Sequence, residues 1–467
     1  MKAAIPAGIC LLAGLTAVPM AATAATTPPA NPSITALAAR IQALEVQSTQ
    51  LRQQADSALA AAHAAQAELA QLQADQASAK RAARLAAVTR AAAPARASGI
   101  GTGNAFNPAI AVILNGYYAH HSSSPASWQR AGFPAAGEGA PLPQGLSLGE
   151  SELALSANID DKFYGQLSLA VENEDGEDHL HVEEAYIDTT ALPAGFGVRA
   201  GRFFSNIGYL NSHHAHTDFF VDRPLAYQAL LGNQYGDDGV QVQWIAPTNI
   251  YLQLGGEAFR GSNYPAAGAG HGGVGAHTLF VHLGGDVGAR NAWYAGISTL
   301  RTQTRNGDDG FNGSERLYIV DGTWKWSHHG NFKDGGLLVR GEYLRGQRRG
   351  HYGDNTATAA PATDSLMAAM TAPWTGQRSG AYLETVYQFN RTWNIGYRYD
   401  RLWPADSGPW ASAFDPSRQS AMLTWHNSEF SLLRLQLSQE KPSPAKRDNA
   451  VLLQYQVALG AHGAHKF

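Results

Sequence analysis

The sequence predicts an all-β fold, a transmembrane antiparallel β-barrel of about sixteen strands preceded by an N-terminal α-helical coiled-coil segment. Three observations indicate this class. The last stretch of the chain alternates apolar and polar residues up to its final aromatic residue. Upstream of it, strand-like runs of roughly ten residues are separated by alternately short and long connections. After residue 20 the chain contains no apolar run of the roughly 18 residues that a transmembrane helix requires.

The closing strand shows the alternation most clearly. One parity is mainly apolar and ends in an aromatic residue: Val451, Leu453, Tyr455, Val457, Leu459, Ala461, Gly463, His465 and Phe467. The opposite parity carries Gln454, Gln456, His462 and Lys466. Because successive side chains of a strand point to opposite faces, this pattern predicts an apolar exterior, a water-filled interior and an aromatic residue at the membrane interface.

Bulk composition excludes some classes of partner and chemistry. The net charge is −4 and charged residues make up 15% of the chain, so the sequence does not indicate a nucleic-acid binder. Residues 1–24 resemble a secretory signal peptide, with Lys2, an apolar stretch and the small residues Ala22-Thr23-Ala24. The single cysteine, Cys10, lies inside this segment, so the mature chain is expected to carry neither a disulfide nor cysteine chemistry.

The N-terminal part is predicted to be helical. A linker at 25–32 precedes heptad-spaced apolar residues over 33–85, which predict a coiled coil in the periplasm that forms a trimeric stalk. The alternative is a solvated helical spacer, because many seam positions are alanine. Residues 86–106 are predicted to be a flexible linker, and the barrel is assigned to 107–467.

Long connections are predicted on only one side of the barrel. They are assigned to 120–146, 205–235, 260–275, 346–378 and 404–416. Alternation within the strands turns a set of charged residues to the interior: Arg340, Glu342, Glu384, Arg398, Asp400 and Arg434. Charges on the inward parity require water inside, and a sixteen-stranded barrel is wide enough to hold it, so an open pore lined by these residues is expected.

The connection at 205–235 is the strongest candidate for a functional segment. It combines aromatic residues with a polar cluster of His213, His214, His216, Asp218, Asp222 and Arg223. A long loop with aromatic anchors is expected to fold into the lumen and form the pore constriction. His213, His214 and His216 are close enough in sequence to share a metal ion, with a solvated loop as the simpler alternative. No base–nucleophile pair is evident, so an enzyme is not expected.

A second polar group follows the third predicted strand. Acidic residues and histidines between Glu172 and Glu184 are predicted to lie at an extracellular turn. The main interpretation is a hydrophilic rim that faces lipopolysaccharide and divalent ions, and the alternative is a surface that concentrates cations at the pore mouth.

One stretch resembles a known family. Val182–Asn211, with Glu184-Ala185-Tyr186 and then Arg199 to Phe203, resembles the phosphate-selective porin O/P type of outer-membrane channel. Phe219–Trp244 and Phe106–Tyr118 are similar to a poorly characterised porin-like group sometimes labelled zinc-regulated outer-membrane receptors. The resemblance implies a sixteen-stranded trimeric channel.

These features together predict an outer-membrane porin of a Gram-negative bacterium. Small hydrophilic solutes or ions would diffuse through a water-filled barrel narrowed by the 205–235 loop. Outer-membrane lipid, lipopolysaccharide and two further copies of the chain are the expected partners, and no cofactor is expected apart from Zn²⁺ in the alternative of a metal-binding loop. Two other hypotheses stay open, a receptor-like barrel that binds zinc or another ligand and, less favoured, a barrel hydrolase.

Overall fold

The computed structural model describes residues 109–460, with gaps at 125–128, 134–138, 140, 175–176, 269–272, 306, 308–309 and 354–370. The signal peptide, the coiled coil, both linkers and the last seven residues of the predicted closing strand lie outside these described residues. Those assignments stay predictions.

Antiparallel strands dominate the described part of the chain. Their bounds are β1 Ala109–His121, β2 Gly145–Leu148, β3 Ser151–Asn158, β4 Phe163–Glu174, β5 Glu177–Thr189, β6 Phe196–Phe204, β7 Gly236–Ile245, β8 Tyr251–Phe259, β9 Ala276–Val287, β10 Asn291–Thr304, β11 Phe311–Ser327, β12 Gly336–Tyr352, β13 Trp374–Gln388, β14 Trp393–Asp406, β15 Ser417–Ser428, β16 Ser431–Ser443 and β17 Lys446–Gly460. One α-helix, α1 (Leu225–Leu231), and 3₁₀ turns at Pro193–Gly195, Leu210–Ser212, Ala215–Thr217, Phe332–Asp334 and Gly408–Trp410 complete the described elements. No described helix has both the length and the hydropathy needed to cross a bilayer.

The sheet closes into a barrel of sixteen strand positions. From β3 onward each strand pairs with the next, and β1 pairs with β17 from Ala111–Gly460 to His121–Ala450. Strands β2 and β3 share one position because both pair with β1, through Gly116–Leu148 and Ile113–Glu152. Closure leaves no open sheet edge, which is the condition for a sheet to be stable in lipid. The predicted closed barrel of sixteen strands is therefore confirmed.

The two faces of the wall differ in polarity. Along β14, Ile395, Tyr397 and Tyr399 are exposed on the outer face, whereas Arg398 and Asp400 are buried inside. Along β17, Leu453 and Tyr455 are outside, and Gln454 is inside. The alternation predicted from the sequence is present over these strands, and it gives the barrel an apolar exterior suited to hydrocarbon.

Exposed aromatic side chains concentrate at the end of the barrel that carries the short turns. They lie at or next to the strand ends on the outer face: Phe163, Phe196, Tyr251, Tyr387, Phe389, Trp393, Trp425 and Phe430. Trp and Tyr side chains prefer the interface between hydrocarbon and water because their rings are amphipathic. The ring of aromatics thus marks one boundary of the apolar band.

The interior is not empty. Residues 205–235, here called the inward loop, connect β6 and β7 and pack against the inner faces of the wall strands. All seven residues of α1 are buried. Its sequence, LAYQALL, is apolar nearly all round, and a helix of that kind requires cover on every side. Pro224 precedes it and Gly232 ends it in the left-handed conformation, with φ 59°. The largest cluster of buried apolar residues therefore lies inside the barrel, between this loop and the wall.

Two strands are longer than predicted at the end of the barrel that carries the long loops. Strand β12 continues to Tyr352, beyond its predicted end at 345, and β13 begins at Trp374, before its predicted start at 379. Continuous antiparallel pairing from Gly336–Gln388 to Gly350–Trp374 stabilises this extension. Polar residues such as Arg349 and Gln377 fall in it, so the strand pattern continues where the apolar outer band has ended.

The outer face supplies a stability test. Leu437 is the central residue of β16 and is exposed on the apolar exterior. We expect Leu437→Arg to lower the free energy of unfolding in lipid vesicles by roughly 2–4 kcal/mol, because a charge is placed near the bilayer midplane. Equilibrium unfolding in guanidinium chloride measures this difference. Leu437→Ala is the control for lost side-chain volume, and an equal loss in both variants would contradict lipid contact at this position.

Candidate functional site

A large cavity lies inside the barrel, next to the inward loop. Its volume is about 910 Å³, and it extends from His213, His214 and His216 on the loop to Asp188 and Asp286 beside the short turns. Its walls come mainly from the inner faces of β3–β10. The lumen on the opposite side is filled by α1, which contacts β12, β13 and β14.

The carboxylate of Glu342 anchors the inward loop to the wall. It accepts hydrogen bonds from the backbone N–H groups of Tyr209 and Leu210, both at 3.1 Å, and from the hydroxyls of Tyr227 and Tyr382, at 2.9 and 2.7 Å. Gly208 makes this approach feasible: its φ is +62°, and a Cβ there would lie 2.4 Å from Glu342 Oε2. Four donors satisfy a carboxylate that would otherwise be very costly to bury.

A second anchor joins Asp222 to two arginines of the wall. Asp222 pairs with Arg398 at 2.8 Å and Arg418 at 2.7 Å, and accepts a hydrogen bond from Gln436 at 2.8 Å. Asp400 receives the backbone N–H of Leu225 at 3.0 Å and also pairs with Arg398. Although burial opposes ionisation, Arg418 and Arg398 lower the pKa of Asp222 from 3.8 to about 2. The start of α1 is therefore held by paired charges.

Three of the predicted constriction residues stabilise the loop itself. The Arg223 side chain pairs with Asp218 at 2.8 Å and donates hydrogen bonds to the carbonyl oxygens of Leu210 and His213, at 2.8 and 2.6 Å. The His213 ring stacks on Tyr209 with 4.6 Å between centroids, and its Nδ1 lies 2.7 Å from the Tyr209 carbonyl oxygen. Arg223 and Asp218 are buried within the loop and do not line the cavity.

The other two histidines meet acidic residues of the wall. His214 Nδ1 lies 3.3 Å from Glu152 Oε2 and 3.5 Å from Glu183 Oε2, and His214 Nε2 donates a hydrogen bond to Glu184 Oε2 at 3.1 Å. His216 Nδ1 lies 3.2 Å from the same Glu152 Oε2. These five residues are called the carboxylate–histidine cluster below.

Irregular strand pairing brings the acidic members together. Between Ser168 and Leu169 the β4–β5 register shifts, so that Glu184 opposes Ser168 and Val182 opposes Leu169 while Glu183 is the extra residue. A bulge of this kind turns neighbouring side chains toward one face. Both Glu183 and Glu184 consequently have side chains that are only 7% exposed. The predicted position of these two glutamates at an extracellular turn is wrong, because β5 continues through them and faces the lumen.

The cluster strongly favours a protonated imidazole at His214 when no other cation is present. Burial disfavours the charged ring, but the carboxylates of Glu152, Glu183 and Glu184 outweigh this and raise the pKa of His214 well above its ordinary value. Three carboxylates against one imidazolium leave an excess of negative charge at this point of the lumen. The arrangement is thus suited to a cation.

The six predicted pore-lining residues occupy a different position from the one expected. All lie on the inner face and are buried, and none lines the cavity: Arg340, Glu342, Glu384, Arg398, Asp400 and Arg434. Arg340 pairs with Glu384, and Arg434 donates a hydrogen bond to Gln454 at 2.7 Å. The inward loop covers this half of the wall, so these charges bind the loop and one another.

Several polar residues that line the cavity were not among the site residues predicted from the sequence. Glu152 follows the alternation of β3, in which Leu153 and Leu155 have the opposite parity, so its inward position was predictable. Asp188 and Arg199 also line the cavity and form a doubly hydrogen-bonded pair, at 2.8 Å for each contact. They lie opposite each other on β5 and β6, which only the register reveals.

The Asp222 anchor predicts a pH dependence. Because its pKa is lowered, the ion pairs stabilise the fold fully above the ordinary value of 3.8 and lose this contribution as the pH falls toward 2. We expect Asp222→Asn to lower the free energy of unfolding by about 2 kcal/mol at pH 6. The difference between wild type and variant should shrink between pH 4 and about pH 2. Asp415→Asn, which removes an exposed pair with Arg401, is the matched control. A pH-independent difference would contradict this account of Asp222.

Comparison with known proteins gives one relative by sequence and several barrels by structure. No family model matches the chain. An uncharacterized protein of Aquifex aeolicus (strain VF5) is 31% identical over 355 residues, covering 69% of this chain and 70% of that one.

Similar solved structures include the outer membrane channel DcaP of Acinetobacter baumannii, with 11% identity and a TM-score of 0.48 over 78% of this chain and 100% of that one. The anion-selective porin from Comamonas acidovorans gives 11% identity and 0.48 over 75% and 99% of the two chains. OmpT of Vibrio cholerae, in a trimer form, gives 10% identity and 0.46 over 75% and 99%. These similarities carry no information about substrate. On the sequence identity and coverage above, the chain belongs to the same family as the Aquifex aeolicus protein.

Proposed function

We propose that this protein is an outer-membrane channel for small hydrophilic solutes or ions, with the inward loop as its constriction. One observation carries the proposal: a closed barrel with an apolar exterior encloses a cavity of about 910 Å³ whose lining includes charged and polar side chains. An exterior of this kind requires lipid, and a polar interior of this size requires water. The predicted signal peptide at 1–24 supports export, and the heptads over 33–85 support a homotrimer with a periplasmic coiled coil.

The loop limits the lumen because it is held from several sides. Glu342, Asp222 and Asp400 fix it to β12, β14 and β15, as described above. At its base, the backbone N–H of Ser205 donates to the Tyr235 carbonyl at 3.0 Å, and Asn211 bonds to both of these residues. A loop tied at its base and along its length narrows the lumen permanently. Solutes then have only the cavity side of the lumen available.

Acidic residues predominate along that side. Glu152, Glu184, Asp188 and Asp286 line the cavity, together with one arginine, Arg199, which is paired with Asp188. Fixed negative charge in a low-dielectric enclosure concentrates cations. We therefore propose a preference for cations over anions.

A second candidate is a ligand-binding barrel with a closed lumen. It is favoured by the dense packing of α1, all of whose residues are buried against one half of the wall. In this case the cavity would be a binding pocket with no route through the barrel. Conductance distinguishes the two functions directly.

The first experiment is single-channel recording of the protein in planar bilayers. We expect stepwise currents, and grouping of the steps in threes would support the trimer. Replacing 206–234 with a short Gly-Ser linker should raise the conductance several-fold, since Ser205 and Tyr235 are already adjacent and the linker can join them. The same linker in place of 408–415, none of which lines the cavity, is the control. Silence from a folded barrel would favour the binding function, and an unchanged conductance in the shortened variant would exclude the loop as the constriction.

Ion preference is tested by reversal potentials in a KCl gradient. We expect permeability to K⁺ to exceed that to Cl⁻, and Asp286→Asn to reduce this ratio because a fixed charge next to the short turns is lost. Asp334→Asn removes an exposed charge from a turn outside the cavity and should leave the ratio unchanged. A wild-type channel that prefers Cl⁻ would contradict the charge argument.

A further inference from the structure

The carboxylate–histidine cluster has the geometry of a metal-binding site. Ligand atoms of Glu152, His214 and His216 all lie within 4.8 Å of one another. Glu152 Oε2 is 3.2 Å from His216 Nδ1 and 3.3 Å from His214 Nδ1, and Glu183 Oε2 is 3.5 Å from His214 Nδ1. We propose that Glu152, His214 and His216 bind a divalent transition-metal ion inside the barrel, with zinc the ion that best fits this ligand set.

The spacing of Glu152, His214 and His216 fits tetrahedral coordination. Nitrogen and oxygen ligands lie about 2.0–2.2 Å from zinc, so two ligands at a tetrahedral angle are about 3.3 Å apart. The distances from Glu152 Oε2 to His216 Nδ1 and His214 Nδ1, 3.2 and 3.3 Å, are close to this value. Neither Glu152 Oε2 nor Glu183 Oε2 accepts a hydrogen bond within the described part of the chain. Both oxygens are buried and directed at imidazole nitrogens, an arrangement that an ion between them would complete.

Glu184 supplies the supporting contact that metal-binding histidines commonly have. It accepts the hydrogen bond from His214 Nε2 at 3.1 Å, which fixes the ring orientation and leaves Nδ1 directed at Glu152 and Glu183. A carboxylate on the far nitrogen of a ligating histidine also raises the basicity of the ligand. Five residues from β3, β5 and the inward loop therefore have complementary roles.

Charge and access both favour a cation. The carboxylates of Glu152, Glu183 and Glu184 all lie within 3.5 Å of an imidazole nitrogen of His214, and a divalent ion at this point would offset their negative charge. Glu152, Glu184, His214 and His216 all line the 910 Å³ cavity, so an ion reaches them from the lumen. Two imidazoles with one carboxylate select zinc and its transition-metal neighbours over Mg²⁺ or Ca²⁺, which prefer oxygen ligands alone.

This ligand set differs from the one predicted from the sequence, which consisted of His213, His214 and His216. The ring of His213 is stacked on Tyr209 and directed at a backbone carbonyl, and His213 does not belong to the group of mutually close ligand atoms. The wall supplies Glu152 in its place. The site consequently couples the inward loop to β3 and β5.

The test measures zinc binding by the folded, metal-stripped barrel in detergent. Isothermal titration with ZnCl₂ should give one high-affinity site per chain. Glu152→Gln and His216→Ala should abolish it, and Glu184→Gln should weaken binding roughly 10–100-fold, as expected for a contact behind the ligand. His213→Ala, one residue from a proposed ligand, is the matched control and should bind as wild type does. Heat-modifiable migration on gels confirms that each variant is folded.

A spectroscopic measurement on wild type removes the dependence on variants that fail to fold. Co²⁺ in place of zinc should give the visible absorption of a tetrahedral nitrogen–oxygen site, and zinc should displace it. Absence of a stoichiometric site in wild type, or loss of binding in His213→Ala equal to that in His216→Ala, would overturn the proposal. Zinc binding does not depend on conduction. A barrel that binds zinc but does not conduct contradicts the channel and leaves the metal site intact. A barrel that conducts but does not bind zinc contradicts the metal site and leaves the channel intact.

Discussion

Pairing of β1 with β17 is the interaction on which the rest of this structure depends. It joins two segments more than three hundred residues apart and removes the last pair of open sheet edges. Backbone N–H and C=O groups left unpaired in hydrocarbon cost several kcal/mol each, so a sheet in lipid has to close completely or not form. Once the wall is closed, every other segment lies either outside it in water or inside it. The inward loop takes the second position.

Inside the barrel, ion pairs and hydrogen bonds offset the free-energy cost of burying charged side chains. Glu342 receives four donors from the loop and the neighbouring strand, and Asp222 lies between two arginines. Removing one member of such a buried pair is costlier than the pair itself is stabilising, because the partner is left without compensation. These contacts therefore specify where the loop lies more than they add to overall stability. They also explain why so many charges of the wall do not reach the cavity.

In the carboxylate–histidine cluster, by contrast, the charges are not balanced. Here the loop brings two imidazoles to a group of three carboxylates, and charge of one sign remains in excess beside the open part of the lumen. The half of the barrel at β12–β17 is thus balanced and packed, whereas the half at β3–β10 is acidic and accessible. The proposed channel and the proposed cation site both lie on the acidic, accessible side.

The sequence by itself determined the class of fold and the polarity of the two faces. Segments such as Trp393–Asp400 alternate apolar and polar residues with a period of two. A closed barrel is the only sheet that such strands can form in a membrane. It also identified the inward loop, through its length and its histidines. Local patterns of this kind do not depend on which strands are neighbours.

Tertiary structure alone decided which inward residues meet. The bulge at Glu183, the register that sets Asp188 against Arg199, and the side of the lumen that α1 occupies all arise from pairing between distant segments. A shift of one residue in a strand exchanges its two faces, so a single bulge moved Glu183 and Glu184 from a predicted rim to the lumen. For the same reason Glu152 stands beside His214 and His216 where the sequence alone suggested His213. Contacts across a barrel depend on register, and register is a property of the closed sheet.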